Sequence, residues 1–326
     1  MGIKNLNRFL LDNCSKKSII KTHLKQFANK TIVIDTSIYL YRFMNDGVLL
    51  ENMYLLISIF KSYHITPIFV FDGKPPVEKR ELLYQRRVEK KTAEEYFNAL
   101  QNEIDTGVFV TAANKIAALQ QMDILKRQFV RIRDTDIRKV KDLMDAYGVV
   151  YFDSFGEADN LCAFFVKTGK AWACMSDDMD MFLYGCPVVI RQLSLLNHTI
   201  SIYNTESILV DLQMTKQDFC EIMVLSGTDY NIHEDTSLIE TIRWYNDYNR
   251  YRTAFVGNNY LRFYIWLLKN TKYIKDYRSL LETYKIFQLD NYIELEQWRN
   301  IDVVEKLVNM KDLKKIMEGE GFIFAG

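Results

Sequence analysis

Residues 171–180 read Ala171-Trp172-Ala173-Cys174-Met175-Ser176-Asp177-Asp178-Met179-Asp180, an apolar run that stops in a cluster of acids. Three other runs share this shape. Thr31-Ile32-Val33-Ile34 enters Asp35. Pro67-Ile68-Phe69-Val70-Phe71 enters Asp72, where Gly73 turns the chain. Val149-Val150-Tyr151-Phe152 leads to Ser154-Phe155-Gly156-Glu157-Ala158-Asp159. Each run is continuously apolar rather than alternating, the pattern of a strand covered on both faces. Helical periodicity fills the gaps over Glu51 to Ser62, Asp136 to Tyr147 and Ala158 to Lys167. Alternating strands and helices predict an α/β fold with a mostly parallel central sheet flanked by helices. Ligands of such sheets bind beyond the carboxyl ends of the strands, which is where these acids fall.

Between the second and third of these strands, in chain order, the character changes. From Lys74 to about Arg133 the sequence is polar, charged and helical. Lys79, Arg80, Arg86, Arg87, Lys90 and Lys91 crowd its first half, and Lys126, Arg127, Arg131 and Arg133 its last part. Asp105-Thr106-Gly107 marks a break between two helices. Charge runs on helices ordinarily make a solvated face. Here the run begins one residue after Gly73, so its first turn stands beside the acids, where cations could hold a phosphate. Further on, Val188–Arg191 and Thr199–Tyr203 predict a short antiparallel pair, and Thr215 caps a helix that ends at Gly227-Thr228-Asp229-Tyr230. From Thr236 onward the pattern predicts helix throughout. The divisions expected are 1–105, an N-terminal region that includes the first helix of an insertion spanning about 74–133; 134–235, an internal region; and 236–326, a helical region packed on the same core.

Composition narrows the class. Of 326 residues 48% are hydrophobic, enough for a substantial core, and 13 Gly with 4 Pro leave little room for long disordered linkers. Lys plus Arg and Asp plus Glu number 42 each, so local charge matters more than the zero sum. Five cysteines without a CxxC pair predict small core residues in a reducing compartment. Four dispersed histidines give no zinc pattern. No apolar run approaches a membrane span and no signal core follows the N-terminus, so a soluble intracellular protein without a membrane partner is expected.

The acids Asp35, Asp72, Glu157, Asp159, Asp178, Asp180 and Asp229 all recur at strand or helix ends. One Asp after a strand is ordinarily a cap or turn residue. Four strand ends carrying acids, two of them paired, point instead to convergence on one volume. Carboxylates so gathered repel unless hard divalent cations neutralise them, and Mg²⁺ or Mn²⁺ prefers oxygen ligands. Two such ions about 4 Å apart can activate water and clamp a phosphodiester.

At these residues the sequence resembles the flap endonuclease family, within the xeroderma pigmentosum group G (Rad2-type) superfamily. The matching stretches are Met1-Gly2-Ile3-Lys4-Asn5-Leu6, Val33-Ile34-Asp35-Thr36-Ser37, Val70-Phe71-Asp72-Gly73-Lys74-Pro75-Pro76, Gly156-Glu157-Ala158-Asp159, Ser176-Asp177-Asp178-Met179-Asp180 and Leu225-Ser226-Gly227-Thr228-Asp229-Tyr230. The resemblance implies a PIN-like nuclease core with a helical arch insertion, acting on branched or flapped DNA. It implies that Asp35, Asp72, Glu157 and Asp159 serve one Mg²⁺, and that Asp159, Asp178, Asp180 and Asp229 serve a second, with Asp178 central to catalysis and Mn²⁺ able to substitute. Lys79 and Arg86 fall where the family places two catalytic cations. Tyr41 falls where it stacks an aromatic on a displaced base, with core packing as the competing reading. Gly2 would lie beside the acids once Met1 is removed. Arg87, Lys126 and Arg127 would join Gly2, Tyr41, Lys79 and Arg86 in contacting DNA.

The sequence also departs from the family. Asn231–Ser237 contains no glycine where a glycine-rich helix-hairpin-helix is normal, so backbone amides cannot approach phosphate as closely, and the usual duplex grip and potassium site are not expected. No sliding-clamp peptide is expected, since Glu318–Gly326 does not resemble one. The reading is a divergent member, of the kind a large DNA virus could carry, working in a nucleus or a viral replication compartment. A junction, gap or RNA-directed nuclease of the same chemistry, and a non-catalytic scaffold, stay open as alternatives. The oligomeric state is not legible.

Overall fold

The computed structural model describes residues 2–107, 111–232, 236–254 and 260–324. Its centre is a seven-stranded sheet in the order β1-β7-β6-β5-β2-β3-β4. The strands are β1 (Ile19–His23), β2 (Thr31–Asp35), β3 (Thr66–Phe71), β4 (Val150–Asp153), β5 (Ala173–Met175), β6 (Val188–Ser194) and β7 (Thr199–Asn204). Strands β4, β3, β2, β5 and β6 run parallel; β7 turns back on β6 and β1 pairs antiparallel with β7. The parallel sheet, its acid-tipped strands and the β6–β7 pair follow the sequence reading. Strand β1 does not: its edge position leaves Ile20 and Lys21 exposed, so it carries no continuous apolar run.

Alternation along β2 explains how one sheet separates two cores. Ile32 and Ile34 face a layer built with α2 (Thr36–Asn45), α3 (Leu49–Ser62) and α6 (Asp134–Tyr147). Before β1 comes α1 (Leu6–Asn13); it and α7 (Ala158–Lys167) lie on the other face, where Val33 packs. That face continues through α8 (Thr205–Leu212), α9 (Lys216–Leu225), α10 (Leu238–Thr253), α11 (Phe263–Asn270) and α12 (Tyr277–Ile286).

The insertion between β3 and β4 consists of α4 (Arg80–Asp105) and α5 (Ala112–Gln128). Among the described residues their seam buries Ala93, Ala118, Met122 and Leu125. The first helix ends at Thr106, with Gly107 at φ 70°, as the sequence break predicts. At the base, the Lys90 ammonium donates to the Val130 carbonyl at 2.9 Å, and Arg131 pairs with Glu94 at 2.5 Å.

The C-terminal region is not helical throughout. After α12 the chain makes short 3₁₀ turns over Leu289–Asn291 and Ile293–Trp298. Residues 301–309 then run without helix to α13 (Met310–Gly319). Val304 and Leu307 are exposed, so the strap buries no apolar face that would hold it as a helix. It is pinned where the Lys306 N–H donates to the Gly148 carbonyl at 2.9 Å. Gly148 sits at φ 70°, and a Cβ there would collide with the Lys306 carbonyl, so glycine is required twice over. Through the strap, α13 reaches the opposite core, where Leu313 and Met317 are buried with α3 and α6.

Candidate active site

The sheet's switch point lies between β2 and β5, which are neighbours in space but about 140 residues apart in sequence. Beyond these carboxyl ends opens a cavity of about 630 Å³. It is lined by Asp35, Asp72, Glu157, Asp159, Asp178 and Asp229 together with Tyr41, Lys79, Arg86, Arg87 and Lys90. Asp180 lies behind this wall, 2% exposed. The amide of Gly2, at φ 73°, lies against the same group: an added Cβ would stand 2.5 Å from Asp178 Oδ1 and 2.6 Å from Asp180 Oδ1. Lys126 and Arg127 are not brought here. They are exposed near the end of α5, away from the cavity lining.

Local structure explains how each acid is aimed. Asp35 ends β2 and accepts from Ser176 Oγ at 3.1 Å. The same Ser176 Oγ accepts from the Asp178 N–H at 3.1 Å, which ties two strand ends together. Asp178 Oδ1 accepts from the Asp180 N–H at 3.0 Å, and Asp72 Oδ1 accepts from the Ala158 N–H at the start of α7, at 2.7 Å. The ordinary capping role of a post-strand Asp is therefore real for Asp178, whereas Asp72 instead holds the first N–H of a helix distant in sequence; both belong to the cluster. Gly73 permits the close approach: its N–H donates to the Gly156 carbonyl at 2.7 Å, and a Cβ would strike the Ser154 carbonyl.

Electrostatics are extreme. Burial first, and then Asp72 and Asp178, push the Asp35 carboxyl well above its ordinary range. Burial with Asp35 and Asp178 does the same to Asp159, and burial with Asp178 and Asp229 does so to Asp180. Two cations of α4 and the turn before it partly offset this. Lys79 Nζ lies 2.6 Å from Glu157 Oε1 and 3.9 Å from Asp229, while Arg86 donates to Asp229 Oδ2 at 2.9 Å. Burial works to lower the Lys79 ammonium, but Glu157, Asp159 and Asp229 outweigh it and hold its pKa above the ordinary lysine range. Tyr41 is 47% exposed at the cavity rim, with the Lys90 ammonium 4.8 Å from its ring centre, rather than in the core.

Two buried oxygens, Asp159 Oδ1 and Asp180 Oδ1, have no hydrogen-bond partner. Buried carboxylate oxygens are costly to leave unpaired. Among the described residues no three acids meet tightly enough to form a finished metal cage. Lys79 and Arg86 are drawn into ion pairs with two of the acids, Glu157 and Asp229. The all-oxygen donor set, its mutual repulsion and the two unpaired oxygens fit a hard divalent ion.

Two participants were not singled out from the sequence. Ser176 is visible only as a small residue before the acids. Tyr230 donates its hydroxyl to Glu157 Oε2, a partner 73 positions away that nothing local announces.

The XPG N-terminal domain family matches residues 1–93 and the XPG I-region family residues 148–229, together more than half of the chain. Flap endonuclease 1 of Methanococcus aeolicus is 29% identical over 243 residues, 68% of this chain and 68% of that protein. Flap endonuclease 1 of Danio rerio is 30% identical over 250 residues, 71% of this chain but 62% of its own length. Among solved structures, the catalytic core of Rad2 in complex with DNA substrate superposes with a TM-score of 0.65 at 20% identity, covering 98% of this chain and 96% of that one.

Proposed function

Since this chain belongs to the XPG/Rad2-type flap endonuclease family, we propose that it hydrolyses DNA phosphodiesters at 5′ flaps. The reading includes 5′-to-3′ exonuclease activity and products with a 5′ phosphate and a 3′ hydroxyl. The observation that carries it is the convergence of six acids and the α4 cations on one cavity at the switch point.

Asp35, Asp72, Glu157 and Asp159 would hold one Mg²⁺, and Asp159, Asp178, Asp180 and Asp229 a second; bound there, the ions would supply a nucleophilic water near neutral pH and neutralise charge on the phosphodiester. The protein's own groups do the rest. Lys79 and Arg86, ion-paired with Glu157 and Asp229, would turn to the scissile phosphate as DNA enters. Tyr41, exposed at the rim, offers a face on which an unpaired base can stack. Arg87 and Lys90 would track the backbone towards the arch, with Lys126 and Arg127 meeting the single strand farther out. Branched DNA is the substrate class supported by these features and by the DNA bound to the Rad2 core.

The decisive test is Asp178→Ala assayed on matched flap, gap, junction and RNA substrates over a Mg²⁺ titration. Flap cleavage is expected to fall at least ~10²-fold, the scale of losing a major electrostatic stabiliser. Wild-type rates in the variant would refute the site assignment. Preference for junction or RNA would redirect the substrate, and no cleavage by the wild-type protein would leave a binding scaffold.

A further inference from the structure

Tyr230 belongs to the loop after α9, and that loop is locked from within. Its N–H donates to Thr228 Oγ1 at 3.2 Å, Thr228 Oγ1 donates to Asn231 Oδ1 at 2.6 Å, and Asn231 Nδ2 donates to the Val224 carbonyl at 2.8 Å. From this mount the phenol reaches Glu157. Its hydroxyl donates to Oε2, while Lys79 donates to Oε1 at 2.6 Å. The Lys79 ammonium also stands 4.7 Å from the centre of the Tyr230 ring. One side chain therefore holds an acid by its edge and a cation by its face.

Behind Tyr230 stands an aromatic support. The Tyr184 hydroxyl lies 3.4 Å from the Tyr230 hydroxyl, and Tyr184 is almost fully buried. Phe287, at the end of α12, meets Tyr230 edge-on at 5.5 Å and Tyr184 at 5.1 Å between ring centres. The C-terminal region thus reaches the catalytic centre through the Phe287 ring.

We propose that Tyr230 is a positioning residue that keeps Glu157 aimed into the cavity through its hydroxyl and seats the Lys79 ammonium on its ring, with Tyr184 and Phe287 fixing its orientation. The proposal rests on the nuclease reading above. Its physical point is the difference between the two partners of Glu157. Lys79 is free to leave for a phosphate; Tyr230 is not. When Lys79 turns away, Oε1 is released and Tyr230 is left to fix the carboxylate.

Tyr230→Phe removes the hydroxyl and keeps the ring; Tyr230→Leu removes both. Mn²⁺ binding to the DNA-free protein is measured by calorimetry, melting by circular dichroism, and kcat and KM on a 5′ flap. Tyr230→Phe is expected to weaken Mn²⁺ binding ~10-fold and to lower kcat with KM little changed, as for other outer partners of metal ligands. Tyr230→Leu should raise KM as well, because Lys79 loses its seat. If Tyr230 acts through Glu157, the double variant Tyr230→Phe/Glu157→Gln should bind Mn²⁺ no worse than Glu157→Gln alone. Wild-type Mn²⁺ affinity in folded Tyr230→Phe, or additive losses in the double variant, would overturn the proposal while leaving the nuclease reading intact. Failure of Tyr230→Phe to fold would overturn it too, by making the hydroxyl a packing group. A wild-type protein that neither binds Mn²⁺ nor cuts DNA would end the nuclease reading and this proposal with it.

Discussion

At the scale of single residues, the same carboxylates carry two jobs. Asp178 caps its own turn and Asp72 accepts the first N–H of α7, yet both line the acid cavity. Gly2 shows how little space remains there. A methyl group at residue 2 would press on Asp178 and Asp180, so Gly2→Ala is expected to lower kcat on a flap by about an order of magnitude, since ångström-scale displacement of reacting groups is costly. Melting should fall only slightly, by the strain of a non-glycine residue at φ 73°; full activity in Gly2→Ala would show that the acids yield freely. Gly73→Ala should act on stability as well, costing about 1–3 kcal/mol through overpacking against the Ser154 carbonyl, read from chemical denaturation; unaltered stability would sink that argument. The acids were legible because they recur at the ends of strands and helices. Tyr230 was not, because its meaning lies in Glu157 and Lys79, which only the fold brings to it.

At the scale of elements, the arch is held differently from the sheet. Helices α4 and α5 meet along a thin seam of Ala93, Ala118, Met122 and Leu125, with exposed charges around it. Met122→Asp places a charge in that seam, and burying an unpaired charge is strongly unfavourable. Flap cleavage should drop sharply while the melting temperature stays near wild type, and hydrogen exchange should quicken in α5 but not in α7. Matching exchange in both helices would mean that the arch and the sheet are one cooperative unit. The arch was readable because Thr106-Gly107 interrupts a charged helical pattern. The edge strand β1 was not, since its Ile20 and Lys21 face water. Nor was the strap over 301–309, whose place depends on the distant Gly148.

At the scale of the whole molecule, the acid cluster links protonation to stability. The raised pKa values of Asp35, Asp159 and Asp180 mean that the native state keeps protons the unfolded chain has released. Stability then falls as pH rises from the ordinary carboxylate value of about 4 towards those raised values. With divalent ions chelated, melting temperature should therefore rise as pH is lowered from 8 towards 5. Added Mg²⁺ should raise it at pH 8 and flatten the slope, because a ligand of the native state stabilises it. A chelated protein that melts highest at pH 8 would contradict this electrostatic picture.

The position of β5 beside β2 also sets a timetable. β2 and β3 are close in sequence and can pair early, but β5 must return across the arch, α6, β4 and α7 before it docks at the sheet's centre. Such distant pairings close slowly, since the loop entropy is spent before the contacts reward it. The strand that delivers Ser176 and Asp178 is thus among the last to arrive. In a refolding experiment, helical signal should return first and Mn²⁺ binding last, so a half-folded chain would carry its acids without yet having a blade.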